Sequence, residues 1–297
     1  MLTSEKLRVG VTGATGMAGA MVTHYFKSKG HKVMSFSRNP IEGFRDRPLN
    51  ILHETDMDNL YFWMAAEKPH AVINCIGRLV QESNRHPSKA IYVNSYFPHK
   101  LEDIGRATGT KIIHLSTDCI FDGITEFSYV EDDLPDETNW YGRSKALGEL
   151  NNDKDLTLRQ SIIGPAIQTN NTGLFNWIYN QKDTIVKGYD RVMWNGITTL
   201  ELAKNIERIL LDYPKLSGIY HLVPANDEYI SKYDLLKLIR DIWQIPATIE
   251  KEVITDSSKI LYNSRFNDYP VEIPGYIKQL TELYDFMEKT SFPINKF

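Results

Sequence analysis

The feature that most constrains this chain is a strand that empties into a glycine turn. Lys6–Val11 is short and apolar, and it runs straight into Thr12-Gly13-Ala14-Thr15-Gly16-Met17-Ala18-Gly19. Ala20–Lys29 follows with the composition of a helix. Such a turn lets the backbone reverse within a few residues and leaves the first helical N–H groups bare for an anion. Gly13 permits the tight turn, Gly16 lets a pyrophosphate approach the main chain, and Gly19 lets helix and strand pack closely. Thr15 and Met17, in the same turn, are further candidate cofactor contacts. Three glycines also suit a plain tight turn; the order of strand, turn and helix is what favours a dinucleotide.

The segments that follow alternate in the manner of an α/β chain. His31–Ser37 reads as a second strand ending at Ser37-Arg38-Asn39. An NAD-selecting site usually places Asp or Glu there for the ribose hydroxyls. Arg38 suits a 2′-phosphate instead, so the expected cofactor is NADPH, with NADH as the alternative. A solvated arginine at a strand end is the competing reading. After a polar loop over Gly43–Asn50, Leu49–His53 reads as a third strand and Asn59–Glu67 as a helix. Asp56 and Met57 either border an adenine ring or, for Asp56, cap that helix. Ala71–Gly77 is continuously apolar but for Asn74, as suits a parallel strand covered on both faces. Its end, Cys75, Ile76, Gly77 and Arg78, faces the crevice where open α/β sheets hold ligands.

Pro87–Thr108 reads as a long helix carrying Asn94, by residue type an ordinary helix-face polar group. Lys111–Leu115 is the fifth strand and delivers Ser116-Thr117-Asp118. Hydroxyls at the end of a central strand can hold a substrate carbonyl, or can simply cap the loop. Tyr141 and Lys145 stand four residues apart at the start of a helix and so share one face. An ammonium beside a phenol lowers the phenol pKa from about 10 towards a value useful for proton transfer. Tyr-x-x-x-Lys also occurs on plain helix surfaces; the strands and turns before it give this pair its weight.

TGATGMAG, STDCIFDG and YGRSKALGE, in that order, resemble the extended short-chain dehydrogenase/reductase family, and within it the dTDP-4-dehydrorhamnose reductases. The likeness covers most of residues 6–165 and continues more weakly beyond. It implies a Rossmann-type, doubly wound parallel sheet over residues 1–165, with a smaller C-terminal substrate-binding lobe over 166–297 that sends some segments back to the sheet. It implies NAD(P)H-dependent reduction of the 4-keto group of a nucleotide-linked 6-deoxyhexose, in the biosynthesis of cell-surface polysaccharide. By position, Thr117 is the hydroxyl of the catalytic triad, with Ser116 as fallback, Tyr141 the acid and Lys145 its ribose-binding partner. Asn94 falls where the family has a structural and proton-relay asparagine. Leu158–Pro165 resembles the sixth strand and the turn near the nicotinamide, which brings in Ser161 and Ile163. Three departures stand out: Cys119 replaces an aromatic residue, and the segments Gly77–Glu82 and Lys187–Gly196, which border the sugar in relatives, differ. The same scaffold hosts UDP-linked N-acetyl-sugar reductases, 4-epimerases, dehydratases and the cofactor-binding regulatory chain of methionine adenosyltransferase. The metal-bridged dimer of some relatives is not expected here.

In the second half, GLFNWIYN (173–180) is an aromatic amphipathic stretch whose plain reading is core, although Phe175 or Trp177 can line a sugar or base pocket. Trp194 and Asn195, in a Gly-flanked loop, are candidate substrate contacts, and Arg191 is the best basic candidate for a diphosphate. His221 reads as a structural histidine in a strand. A formal charge of −4 leaves no basic footprint for nucleic acid. The polar start, Met1–Arg8, and the lack of any long apolar run give the expectation of a cytoplasmic protein without membrane contact. Cys75 and Cys119 are then reduced residues of core or site. No metal-ligand spacing is present in the sequence, and a homodimer is the expectation for a soluble chain of this kind.

Overall fold

The computed structural model describes residues 6–39, 47–124, 127–167, 173–254 and 258–293. Residues 1–5 of the polar start and 43–46 of the loop before the third strand lie outside them. The chain opens with β1 (Arg8–Thr12), α1 (Met17–Ser28), β2 (Lys32–Ser37), β3 (Arg47–Pro48), α2 (Glu54–Glu67) and β4 (Ala71–Asn74). α3 (Val80–Arg85) and α4 (Pro87–Ala90) follow; a π-helical turn, Ile91–Tyr96, then joins α4 to α5 (Phe97–Thr108). β5 (Lys111–Leu115), α6 (Trp140–Ala146), β6 (Leu156–Arg159), β7 (Ile162–Ile163) and α7 (Leu174–Tyr179) come next. The rest is β8 (Thr184–Tyr189), β9 (Met193–Trp194), β10 (Ile197–Thr198), α8 (Thr199–Asp212), β11 (Gly218–His221), β12 (Ile230–Ser231), α9 (Lys232–Trp243), β13 (Ala247–Glu252) and α10 (Tyr276–Thr290).

Seven parallel strands form the central sheet in the order β11-β6-β5-β4-β1-β2-β3. The chain enters at β1, builds outward through β2 and β3, then crosses back to β4 on the other side. The strand order therefore reverses between β1 and β4, and a crevice opens outside their carboxyl ends. Alternation along the strands sends Ile73 and Ile113 into one core with Met21 of α1 and Ile206 of α8. Val72 and Ile112 point the other way, against Leu60 and Trp63 of α2 and Leu101 of α5. This is the doubly wound α/β fold that the motif order implies.

The third strand is shorter and earlier than the apolar run suggests. Leu49 and Ile51 are buried not as strand residues but in the turn that leads into α2, where they join the cluster around Trp63. β11 returns to the sheet edge after α8, which packs on α1. Outside the sheet, β8 pairs with β13 and β10 with β7 in parallel, β9 pairs with β12 antiparallel, and α9 packs on β8 and β13. Among the described residues, no helix is long and apolar enough to cross a membrane.

Candidate active site

The glycine turn has the close packing its sequence demands. Gly13 takes a left-handed φ of +72°, and a Cβ there would lie 3.0 Å from the Cys75 carbonyl group. A Cβ on Gly19 would lie 2.2 Å from the Gly13 oxygen, so helix and turn touch backbone to backbone. α1 starts at Met17, with Gly16 as an N-cap that offers no side chain and with no acid in the first turn. Its first N–H groups are thus presented to an anion without a competing carboxylate. Thr15 is buried beside them and Met17 half-buried, its sulfur 3.7 Å from where a Cβ on Gly173 would stand. Beyond β2 and β3 a cleft of ≈ 450 Å³ is lined by Arg38, Asn39, Pro48, Leu49, Asn50, His53 and Asp56. Ser37 is buried and its carbonyl accepts from Leu49 N, which closes the floor behind Arg38. A bare helix start, a turn too tight for side chains and an arginine cleft fit a dinucleotide in shape and charge.

Two expectations at this end need correction. Asp56 is not a cap but a first-turn residue of α2, and its Oδ2 accepts the Asn50 N–H at 2.7 Å. Met57 turns into the core with Leu60 and Trp63, because the helix begins five residues before the expected Asn59.

At the other end, the loop after β5 and the first turn of α6 bring Thr117 and Tyr141 together. Asn139 caps α6, its Oδ1 accepting the Gly142 N–H at 3.0 Å, and so fixes where Tyr141 leaves the helix. Thr117 Oγ1 donates to Asp118 Oδ1 at 2.9 Å and accepts from Cys119 N at 3.1 Å, and it stands close enough to act on the Tyr141 phenol. Burial pushes the phenol pKa up, helped by Cys119 and Asp118, while Thr117 works the other way. Tyr141 is therefore a neutral acid at pH 7, contrary to the expectation that Lys145 draws its pKa down. The reason is geometric: Lys145 Nζ donates to the Leu115 carbonyl at 2.6 Å and stands 3.3 Å from His114 Nε2. Burial lowers the Lys145 pKa to about 8, against the opposing pull of Glu149 and Cys75. Both thiols are pushed up to about 12, chiefly by burial, so neither Cys75 nor Cys119 is a ready nucleophile.

Asn94 is wholly buried in the π-helical turn. Its Oδ1 accepts from Arg78 N at 2.7 Å, and its Nδ2 donates to Ser144 Oγ at 3.0 Å and Arg78 O at 3.3 Å. It thereby ties the loop after β4 to the helix of Tyr141. β4 itself ends at Asn74, leaving Cys75, Ile76, Gly77 and Arg78 as crevice loop; the Arg78 guanidinium pairs with Glu82 at 2.9 Å. Ser161 is half-buried and its carbonyl accepts from Ile197 N, while Ile163 is buried in the β7–β10 pair.

Several candidates are held elsewhere. Ser116 Oγ donates to Glu149 Oε1 at 2.6 Å, in a buried network that also holds Arg159, so its hydroxyl is occupied. Asn195 spends its amide on Leu261, donating to O at 2.6 Å and accepting from N at 3.2 Å. Trp194 lies beside Tyr276, and its carbonyl accepts the Tyr276 hydroxyl. Phe175 is core, stacked on Tyr179, whereas Trp177 on the same helix is half-exposed. Arg191 is exposed beyond the end of β8. Sequence reasoning missed Lys259, whose Nζ bonds Glu137 Oε2 at 2.8 Å and whose pKa is raised, against burial, by that bond and by Cys119 and Asp118 nearby. No spacing links residues so far apart in the chain; only the fold places Lys259 near the mouth of the site.

Comparison with known proteins agrees with this geometry. The family described as RmlD substrate binding domain matches residues 7–260. The chain is 30% identical over 260 residues to a probable low-salt glycan biosynthesis reductase, Agl14, of Haloferax volcanii, covering 83% of this chain and 84% of that one. It is 26% identical over 263 residues to methionine adenosyltransferase 2 subunit beta of Xenopus laevis, covering 83% of this chain and 75% of that one. The fold is similar to that of the dTDP-4-dehydrorhamnose reductase of Bacillus anthracis in complex with NADP, with a TM-score of 0.78, 17% identity, and coverage of 95% of this chain and 99% of that one.

Proposed function

The chain belongs to the RmlD substrate binding domain family, and from that premise we propose that it reduces the 4-keto group of a nucleotide-linked 6-deoxyhexose with a nicotinamide cofactor, NADPH in preference to NADH. The observation that carries this reading is the half-buried Tyr141 phenol, its pKa held above the usual value, set beside Thr117 at the carboxyl edge of the sheet. Reduction of a ketone needs a proton donor at the carbonyl oxygen, and a phenol that keeps its proton at pH 7 is one.

The chain's own groups divide the work. The α1 start with Gly13, Thr15, Gly16 and Met17 holds the pyrophosphate; Ser37 and Arg38 hold the 2′-phosphate; Cys75, Ile76, Gly77, Ser161 and Ile163 border the nicotinamide half. When bound, the nicotinamide supplies the hydride. Tyr141 hands its proton to the substrate oxygen as negative charge develops there. Thr117 turns its O–H from Asp118 to the same oxygen and keeps the carbonyl in line. Lys145 reaches the cofactor ribose from its seat on Leu115 O. Asp118, Trp177 and Arg191 remain candidate contacts for the sugar and its nucleotide, and Lys259 joins them.

The test is NADPH oxidation, followed by absorbance, with a panel of dTDP- and UDP-linked 4-keto-6-deoxyhexoses, N-acetylated ones included, repeated with NADH. Turnover on one member establishes the reductase and names its substrate. Tightly retained NAD after purification with no net oxidation points to a 4-epimerase. The likeness to methionine adenosyltransferase 2 subunit beta supports a second reading, a cofactor-binding regulatory chain. Stable co-purification with a synthetase and silence across the whole panel would decide for it.

A further inference from the structure

One register of the central sheet is polar where parallel strands covered on both faces are ordinarily apolar. Thr12 of β1 pairs with Asn74 of β4, Asn74 with His114 of β5, and all three side chains are wholly buried. They form a hydrogen-bonded row: Thr12 Oγ1 to Asn74 Oδ1 at 2.9 Å, Asn74 Nδ2 to His114 Nδ1 at 3.0 Å, and His114 Nε2 to Lys145 Nζ at 3.3 Å. The direction of the row is fixed at one point. The backbone N–H of Ile76 can only donate, and it donates to Asn74 Oδ1 at 3.2 Å. Asn74 must therefore turn its NH₂ to the imidazole, Nδ1 must accept, and the ring proton sits on Nε2, aimed at the lysine.

A donor aimed at an ammonium repels it, whereas the same donor aimed at a neutral amine makes a hydrogen bond. The remaining groups around Lys145 are the Leu115 carbonyl on β5, Cys75 at the end of β4, and Glu149 on its own stretch of chain. His114 also senses His99 of α5. Of these, the Glu149 carboxylate, the Leu115 carbonyl and Cys75 favour the charged lysine, and Glu149 is already bonded to Arg159 and Ser116.

We propose that His114 is a positioning residue for Lys145: held as its Nε2–H tautomer by Asn74 and Thr12, it makes Lys145 a proton carrier rather than a permanent cation, and so sets the pH range in which Tyr141 is resupplied. Burial already lowers the Lys145 pKa to about 8; the fixed His114 donor acts in the same direction. The link to turnover rests on the reductase reading, but the coupling between the two side chains does not.

The experiment is a pH titration of the full chain labelled with ¹³Cε-lysine, with the Lys145 signal identified by its loss in Lys145→Met. His114→Gln replaces the fixed donor with an amide that can turn its oxygen to Nζ. Asn74→Asp, nearly isosteric, accepts from Nδ1–H and so leaves Nε2 as an acceptor; it keeps the test open should His114→Gln not fold. Both variants are expected to raise the Lys145 midpoint by about one unit or more, and the alkaline limb of kcat for NADPH oxidation should move up with it. A midpoint unchanged in folded variants would overturn the proposal. A shifted midpoint with no turnover on any keto-sugar would uphold the coupling and sink the reductase reading instead.

Discussion

At the scale of single residues, the proposed chemistry rests on the Tyr141 phenol as proton donor. Replacing it tests that directly. Tyr141→Phe keeps the ring and loses the proton, so kcat should fall by about 10²–10⁴-fold, with NADPH affinity, followed by fluorescence, nearly unchanged. Wild-type turnover would remove Tyr141 as the acid. At the other end of the crevice, Arg38 faces open space in a cleft large enough for a phosphorylated ribose. A charge-assisted hydrogen bond contributes about 1.5–3 kcal/mol, so Arg38→Ser should raise KM for NADPH by about 10- to 100-fold while leaving NADH little affected. Equal losses with both cofactors would show that Arg38 does not read the 2′-phosphate. Tyr141, Thr117 and Arg38 were legible in the sequence because each stands at a fixed offset from a strand end or a partner four residues away. The surroundings of Lys145 were not. Thr12, Asn74 and His114 meet only through the register of three strands separated by about sixty and forty residues of chain, and nothing in the local sequence states a register.

At the scale of elements, the helix of Tyr141 is held from behind by the π-helical turn. Asn94 bonds Ser144, Ser95 Oγ donates to the Ser144 carbonyl at 2.7 Å, and Gly148 packs so closely that a Cβ there would lie 1.8 Å from the Asn94 oxygen. The obstacle is backbone, which cannot swing aside as a side chain can. Gly148→Ala should therefore destabilise the fold by about 1–3 kcal/mol or more, read as a lower urea midpoint, and should lower kcat in the molecules that still fold, because α6 must shift. An unchanged midpoint would mean that the two elements are free to separate. The sequence announced the long helix from Pro87 to Thr108 but not its wide turn, because the π register depends on what packs beside Asn94 rather than on helix propensity. The third strand failed for a related reason: Leu49 and Ile51 look like strand residues only because burial in a turn demands the same apolar side chains.

At the scale of the whole molecule, a buried polar network joins the C-terminal segments to the sheet. Arg159 of β6 bonds Glu149 at 2.9 and 2.8 Å and the Glu131 carbonyl at 3.0 Å. The Glu131 carboxylate accepts the N–H groups of His221 and Ser264, each at 3.0 Å. His221 Nδ1 meets the Tyr262 carbonyl at 2.9 Å, while its Nε2 faces the Arg159 guanidinium. Burial holds the pKa of His221 below its usual value, Glu131 pulling it up and Arg159 down, and burial with the Lys145 charge does the same to His114. Unfolded, each imidazole takes up its proton near pH 6.5. Folded, each stays neutral to lower pH. Below about pH 6.5 the unfolded chain therefore binds more protons, so stability present at neutral pH is lost as pH falls, at up to about 1.4 kcal/mol per pH unit for each histidine. Urea unfolding at pH 7.5 and 5.5 should show a clear drop for the wild type. His221→Asn removes one of the two groups and, although less stable at pH 7.5, should lose less between the two pH values. A variant with the full wild-type slope would show that His221 is not among the groups that make this fold sensitive to acid.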